Sequence, residues 1–465
     1  MLFNSFAYLI FLPVVTAIFF LMGHRFRWLF LLLASCFFYM FFKPEYILIL
    51  AFTIVIDYYA GIWIARAEDK RRKKQFLILS LFANILILAV FKYYNFLNGN
   101  VTGLAAMMGF ELDIPLLKIL LPIGLSFHTF QAMSYTIEVY RGNQKPETHF
   151  GIYSLYVMFF PQLVAGPIER PQNMLHQFHE KKFWDGDRVV SGVKLICWGL
   201  FKKLVIADRL APMVDQVYNN PEAYSGFNIM LATLFFAEQI YCDFSGYSDI
   251  AIGSARVLGF TLMKNFRNPY LSKSVTEFWS RWHISLSTWF RDYLYIPLGG
   301  NRVPVPRWMM NLVVTFLISG LWHGAAWTFI IWGGLNGVFI VGEIMLARAF
   351  PTVKAPSVFK HITTLILICF TWLFFRANSL HDAGVLLNNM FTFGQALAFS
   401  TTELWFAFFF IMGLETLQYA DEKYGAIHKV KAMPYFVRMA VYAVFITVLL
   451  NFGIFNNSTF IYFQF

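Results

Sequence analysis

Two histidines stand in the stretch Glu277 to Gly337, where Trp, Arg and His are concentrated. His283 closes the run Trp279-Ser-Arg-Trp-His283, and His323 lies in the middle of an apolar run from Met309 to Met345. That run is too long for one membrane crossing of roughly 20 residues. It is interrupted at Trp322-His323-Gly324, so it is predicted to make two short passes with His323 near their junction. A charged side chain at membrane depth costs about 2–3 kcal/mol or more, and a neutral imidazole escapes much of that. Held neutral, its free ring nitrogen can accept a proton, which makes His323 a candidate general base. The alternative is a histidine that donates to a carbonyl on a neighbouring helix and packs the bundle. The residue taken alone leaves both readings open.

The rest of the chain must hold these rings. Hydrophobic residues make up 58% of it and charged ones 14%, with a mean hydropathy of +0.57. A water-soluble core cannot hide that much apolar surface, so the chain reads as an all-α polytopic membrane protein. The 465 residues contain no polar stretch long enough for a separate soluble domain, so residues 1–465 are expected to form a single domain. Candidate spans are Phe6–Met22, Leu29–Phe42, Tyr46–Ala65, Phe76–Phe96, Ile119–Val139, Val189–Ala207, Phe227–Cys242, Met309–Leu321, Ala325–Leu346, Ile362–Phe375, Leu404–Gln418 and Val437–Phe455. Cys36, Cys197 and Cys369 fall inside apolar runs and Cys242 at the end of one, with no pair at metal-ligand spacing. Packing is their expected role, and no metal site is expected.

The net charge of +11 is spread over loops between apolar runs. That distribution marks cytoplasmic loops and argues against nucleic-acid binding. The segment Arg66 to Lys74 is the strongest such marker, and counting back from it puts the N-terminus outside. Counting forward gives about twelve crossings with both termini outside; of Lys and Arg, the outer loops Leu97 to Lys118 and Ala377 to Glu403 carry only Lys118, at a helix edge. The uncharged start MLFNS lacks the basic region of a signal peptide, so Phe6–Met22 reads as a retained first helix. Two regions do not behave as simple spans. Gly151 to Gly166 enters and leaves on the same side, as a re-entrant helix does. Ser245 to Arg307 alternates basic and aromatic faces, as interfacial helices do. Both are expected to line a cytoplasmic mouth. Helical spacing from Trp279 onward would put Trp282, His283 and Leu286 on one face with it. Asp243, Tyr247 and Asp249 would stand at the end of a span, able to orient His283 or pair with Arg281 or Arg291. A buried ion pair that fixes the loops is the other reading of these acids.

The ordered set of LPIGLSFHTFQAMSY (Leu121 to Tyr135), FFPQLVAGPIERP (Phe159 to Pro171), YCDFSGYSDIAIG (Tyr241 to Gly253), Asn265 to Arg302, GLWHGAAWTFIIWG (Gly320 to Gly333) and the terminal FIYFQF (Phe460 to Phe465) resembles the membrane-bound O-acyltransferase family. Within it, the set is similar to the bacterial branch of alginate and peptidoglycan O-acetyltransferases. The resemblance implies a helical bundle of that family's type around a cytoplasmic funnel. It also implies His283 and His323 as the active-site histidines, with His323 catalytic, and acetyl-coenzyme A as the acyl donor. Acyl transfer from a thioester needs a base, donors for the developing oxyanion and a sheltered site. His323 is the base, and His283, Trp282 or Asn336 are the candidate donors. The cations for coenzyme A phosphates are sought among Lys273, Arg281, Arg291 and other basic residues of the same stretch. Where the alginate branch has a further histidine, this chain has Asn336, which cannot take a proton. The implied activity is O-acetylation of an envelope polysaccharide from the bacterial inner membrane, completed by an extracytoplasmic partner such as an SGNH-type acetyltransferase or other acetyl-acceptor protein. Membrane lipids are the remaining expected partners. A polytopic transporter is the alternative from another class, although the chain has no internal repeat to support it.

Overall fold

The computed structural model describes residues 1–117, 122, 124–164, 166–352, 355–455 and 459–463. Its helices in chain order are α1 (Phe6–Leu21), α2 (His24–Met40), α3 (Ile47–Arg66), α4 (Lys70–Leu88), α5 (Tyr94–Met107), α6 (Leu125–Arg141), α7 (Phe150–Met158), α8 (Phe160–Leu163), α9 (Pro171–His179), α10 (Gly186–Leu200), α11 (Asp208–Tyr218), α12 (Phe227–Leu258), α13 (Val275–Arg281), α14 (Ile284–Phe290), α15 (Val305–His323), α16 (Trp327–Ala349), α17 (Ser357–Arg376), α18 (Leu380–Met390), α19 (Thr401–Tyr424), α20 (Ala426–Ala432) and α21 (Tyr435–Phe452). No strand occurs among the described residues. The protein is all-α, as composition required, and a helix stands at each of the twelve candidate spans. The start of the span placed at Ile119, and Lys118 before it, lie outside the described residues. Among those described, six helical stretches are long and apolar enough to cross a membrane: Pro44–Arg66, Lys70–Met107, Val305–His323, Trp327–Ala349, Ser357–Arg376 and Tyr435–Phe452.

Local chemistry fixes the ends. Asp69 accepts from the backbone N–H groups of Arg71 and Arg72 at 3.2 and 3.3 Å, which lets a basic run open α4 although cations are disfavoured at a helix N-terminus. Ser400 and Glu403 cap α19 reciprocally. Three helices pass into a π-turn: α4 at Ala89–Tyr93, α10 at Phe201–Ala207 and α14 at Arg291–Tyr295. Such turns recur where a helix must redirect a side chain.

The chain divides into two compact units, one of residues 1–196 and 248–263, the other of 197–247 and 264–465. In the first, α3, α4 and α6 pack on one another, and α7 and α8 form a buried pair broken at Phe159 inside the stretch expected to be re-entrant. In the second, α15 and α16 pack along the most extensive helix–helix contact among the described residues.

Three expectations need correction. The span predicted to end at Cys242 runs on as α12 to Leu258, so Asp243, Tyr247 and Asp249 sit within a helix and not at its end. The uncharged small and apolar residues on either side of these acids let the helix continue through them. The passes on either side of Gly324 are not short, since α15 has 19 residues and α16 has 23. Each is long enough to cross alone, so His323 stands at the end of a full-length helix and not in the middle of a divided span. Finally, Trp279 and His283 do not share one helix, because the chain leaves α13 at Trp282 and restarts at Ile284.

Candidate functional site

The second unit builds the site from the corner between α15 and α16. Gly320 and Gly333 face each other's helix so closely that a Cβ on Gly320 would stand 2.2 Å from the Phe329 carbonyl oxygen, and one on Gly333 2.2 Å from that of Phe316. Gly337 continues the seam against Val313 at 2.9 Å. Small residues of this kind let two membrane helices approach backbone to backbone. The seam holds His323, the last residue of α15, against Trp332 of α16, with ring centroids 5.0 Å apart. Trp322, Phe375 and Tyr462 complete the ring wall at 4.9, 5.5 and 5.7 Å. His323 is 4% exposed.

His283 is placed by backbone strain. It adopts φ 43° and ψ 53°, the left-handed region, and with Asn268 it is one of two non-glycine residues at positive φ among those described. Such a conformation costs on the order of 1 kcal/mol and persists only where its surroundings fix it. Asn265 does the fixing. Its carbonyl accepts from the Ile284 N–H at 2.8 Å. Its side-chain oxygen receives the Ser285 N–H at 3.1 Å and hydroxyl at 2.8 Å, and lies 3.2 Å from His283 Nδ1. An oxygen that only accepts makes Nδ1 the protonated nitrogen, so Nε2 carries the lone pair. The ring then packs edge-on to Phe244 at 4.6 Å and reaches Trp322 at 6.5 Å. Trp322 therefore touches both histidines.

The C-terminal tail is the part the sequence left without a role. Lys203 bridges Asp208 at 2.8 Å and Asp243 at 2.7 Å, all three buried. Its ammonium also donates to the Thr459 carbonyl at 3.3 Å, and Asp243 accepts from the Ile461 N–H at 2.7 Å. Asp243 thus neither orients His283 nor pairs with Arg281 or Arg291. It docks the tail, as a buried ion pair should. Phe460 then packs tilted against Tyr247 at 4.5 Å, and Tyr462 lies between Phe244 at 4.5 Å and His323.

The remaining expected ligands do not gather at one point. Trp282 is buried in an aromatic cluster with Phe278, Phe266 and Trp372, at 5.4, 5.1 and 5.1 Å. Asn336 is wholly buried. Its Nδ2 donates to the Trp332 carbonyl at 2.8 Å and its Oδ1 accepts from Trp279 Nε1 at 3.1 Å, so it is committed to α16 and α13. Arg281 is paired with Glu277 at 2.7 Å and Glu422 at 2.8 Å. Partial burial would raise the Glu277 carboxyl, but the Lys273 backbone N–H and Arg281 outweigh it and hold the group below its ordinary value. The Lys273 side chain is exposed. Arg291 is exposed too, bonded to Asp292 at 2.8 Å, and it lines a cavity of about 570 Å³. The cavity walls include Trp279, Ile284, Leu286, Phe316 and Ser319. Ile284 follows His283 directly and Ser319 precedes His323 by one helical turn, so the cavity backs onto the segments that carry both rings without being lined by either.

One donor escaped the sequence reading. The indole N–H of Trp332 is buried with no hydrogen-bond partner among the described residues, and its ring is the one held against His323 by the glycine seam. A tryptophan in an aromatic-rich span carries no sequence signal that separates it from packing residues.

Residues 146–381 match the membrane-bound O-acyltransferase family. The probable alginate O-acetylase AlgI of Pseudomonas aeruginosa is 41% identical over 398 residues, which cover 85% of this chain and 75% of that protein. The peptidoglycan O-acetyltransferase of Helicobacter pylori is 37% identical over 392 residues, covering 78% and 73%. The teichoic acid D-alanyltransferase of Bacillus subtilis is 26% identical over 282 residues, covering 56% and 69%.

Proposed function

The chain belongs to the membrane-bound O-acyltransferase family, and from that premise we propose that it moves an acetyl group from acetyl-coenzyme A to a hydroxyl, for O-acetylation of an envelope polysaccharide of the alginate or peptidoglycan type. The observation that carries the reading is the setting of His323, a buried imidazole at a helix end enclosed by Trp322, Trp332, Phe375 and Tyr462. An apolar enclosure excludes water from the ring and strengthens every electrostatic interaction within it.

In this reading His323 takes the proton of the acceptor hydroxyl as that oxygen bonds to the thioester carbonyl carbon. The carbonyl oxygen gains charge, and the Trp332 N–H is the donor that meets it. The C–S bond then breaks as the carbonyl re-forms, and the imidazolium returns its proton to the leaving thiolate. The cavity beside α14 and α15 has the volume and apolar wall for the pantetheine arm, with Arg291 available to a phosphate. His283 is a positioning residue for Trp322, and through it for His323. The basic loops, including Arg66 to Lys74, support a donor side in the cytoplasm of an inner-membrane protein with both termini outside. The polymer is then reached through an extracytoplasmic acceptor such as an SGNH-type acetyltransferase.

The test is acetyl transfer by purified protein from labelled acetyl-coenzyme A to an acceptor oligosaccharide or its carrier. His323→Gln keeps a polar group of similar size and removes the base, so the rate should fall about 10²–10⁴-fold with melting temperature held. Full activity in that variant would remove His323 from the mechanism.

A further inference from the structure

The cavity walled by α13, α14, α15 and α16 has hydroxyls along its apolar lining, and all but one of them are spent. Thr276 gives its proton to the Glu343 carboxylate at 3.1 Å. Ser280, Ser287, Thr288 and Thr315 give theirs to the backbone carbonyls of Glu277, Trp282, Ile284 and Asn311, at 2.7, 3.2, 2.8 and 2.7 Å. Ser319 is the remaining Ser or Thr of the wall, and its hydroxyl has no hydrogen-bond partner among the described residues. A hydroxyl carries one proton and two lone pairs, and one left unpaired in an apolar wall costs free energy that a ligand's polar group would recover.

The position of Ser319 along α15 says which polar group that would be. Trp308, Leu312, Thr315 and Ser319 follow one another on the cavity wall at steps of three and four residues, which is one face of a helix. Ser319 ends the row, and His323 is the next residue on it, four further along the same helix. Residues so spaced have Cβ atoms about 5–6 Å apart. In a pantetheine thioester, a sulfur and two methylenes separate the acyl carbonyl carbon from the first amide nitrogen, a reach of about 5 Å through four bonds of ordinary length. A carbonyl carbon held at His323 therefore brings that amide to Ser319. The arm's second amide repeats the interval, and Thr315 stands one turn further back with lone pairs left over from its bond to Asn311.

We propose that Ser319 binds the acyl donor through the amide next to its thioester, and so sets the depth at which the acyl carbonyl stops beside His323. The assignment deepens the acyl-transfer reading and rests on it. Its test is competition against labelled acetyl-coenzyme A, in detergent micelles, by two small thioesters of equal length. N-acetylcysteamine thioacetate has the amide, and S-pentyl thioacetate has methylenes in its place. Ser319→Ala should weaken inhibition by the first roughly 3–10-fold, the worth of one hydrogen bond, and leave inhibition by the second unchanged, with melting temperature held. Ser319→Thr keeps the hydroxyl and should keep the wild-type inhibition by the amide thioester. Equal losses for both thioesters in Ser319→Ala, as a merely structural role would give, would overturn the assignment, and so would no loss for either. Wild type that transfers acetyl from acetyl-coenzyme A but is not inhibited by the amide thioester would overturn it as well. Wild type that transfers no acetyl from acetyl-coenzyme A would instead refute the reading on which the assignment rests.

Discussion

The glycine seam offers the sharpest test, because it separates geometry from chemistry. In Gly320→Ala the new Cβ would stand 2.2 Å from the Phe329 carbonyl oxygen, against an ordinary contact of at least 3.4 Å. The obstacle is helix backbone, which has no rotamer to escape into, so α15 and α16 must separate by about 1 Å at this level (3.4 less 2.2). Overpacking of this kind destabilises by about 1–3 kcal/mol, which a folded bundle tolerates. The functional effect should be larger. His323 lies three residues beyond Gly320 on α15 and its ring partner Trp332 precedes Gly333 on α16, so the separation opens the 5.0 Å contact between them. A misplacement of about 1 Å can lower a rate ~10²-fold. The control is Gly342→Ala on the same α16, where the Cβ meets nothing within 4 Å and rate and melting temperature should hold. The assay is turnover of acetyl-coenzyme A in detergent micelles, with folding followed by melting temperature. The reasoning is refuted if Gly320→Ala folds and turns over as fast as Gly342→Ala, since the close approach would then not position the base.

Other outcomes follow from the same geometry. Trp332→Phe keeps the ring and removes the buried N–H, so kcat should fall roughly 10²-fold with KM little changed; an unchanged kcat would move the oxyanion donor elsewhere. Lys203→Met leaves Asp208 and Asp243 facing each other buried and uncompensated, a loss of about 3–5 kcal/mol. It should lower the melting temperature and free the tail to limited carboxypeptidase digestion, and a tail as resistant as in wild type would show that Asp243 does not dock it. For sidedness, a cysteine at Lys73 should label with an impermeant maleimide only from the cytoplasm and one at Gly103 only from outside; reversed labelling would place the donor on the wrong face.

The amino-acid sequence carried the fold class and the break after His323, because both depend on local quantities. Hydrophobic content of 58%, capping residues such as Asp69 and the interruption after His323 act over a turn or two of chain, and a helix must answer to them wherever it lies. The apolar runs also marked where a helix lies at each of the twelve candidate spans, although other helices stand between them. They do not settle where a helix stops when no breaker is present, which is why α12 ran past Cys242. Spacing could not reveal that His283 is left-handed, because its conformation is imposed by Asn265, 18 residues earlier. Nor could it assign Asp243, whose partners Lys203 and Ile461 come from 40 residues before it and 218 after. Trp332 became a candidate donor, and Tyr462 a wall of the site, only through contacts across the glycine seam and the docked tail. Local propensity selects helices, whereas the environment of a ring or carboxylate is set by residues distant in the chain, and that environment decides which of many similar aromatic and polar groups can act.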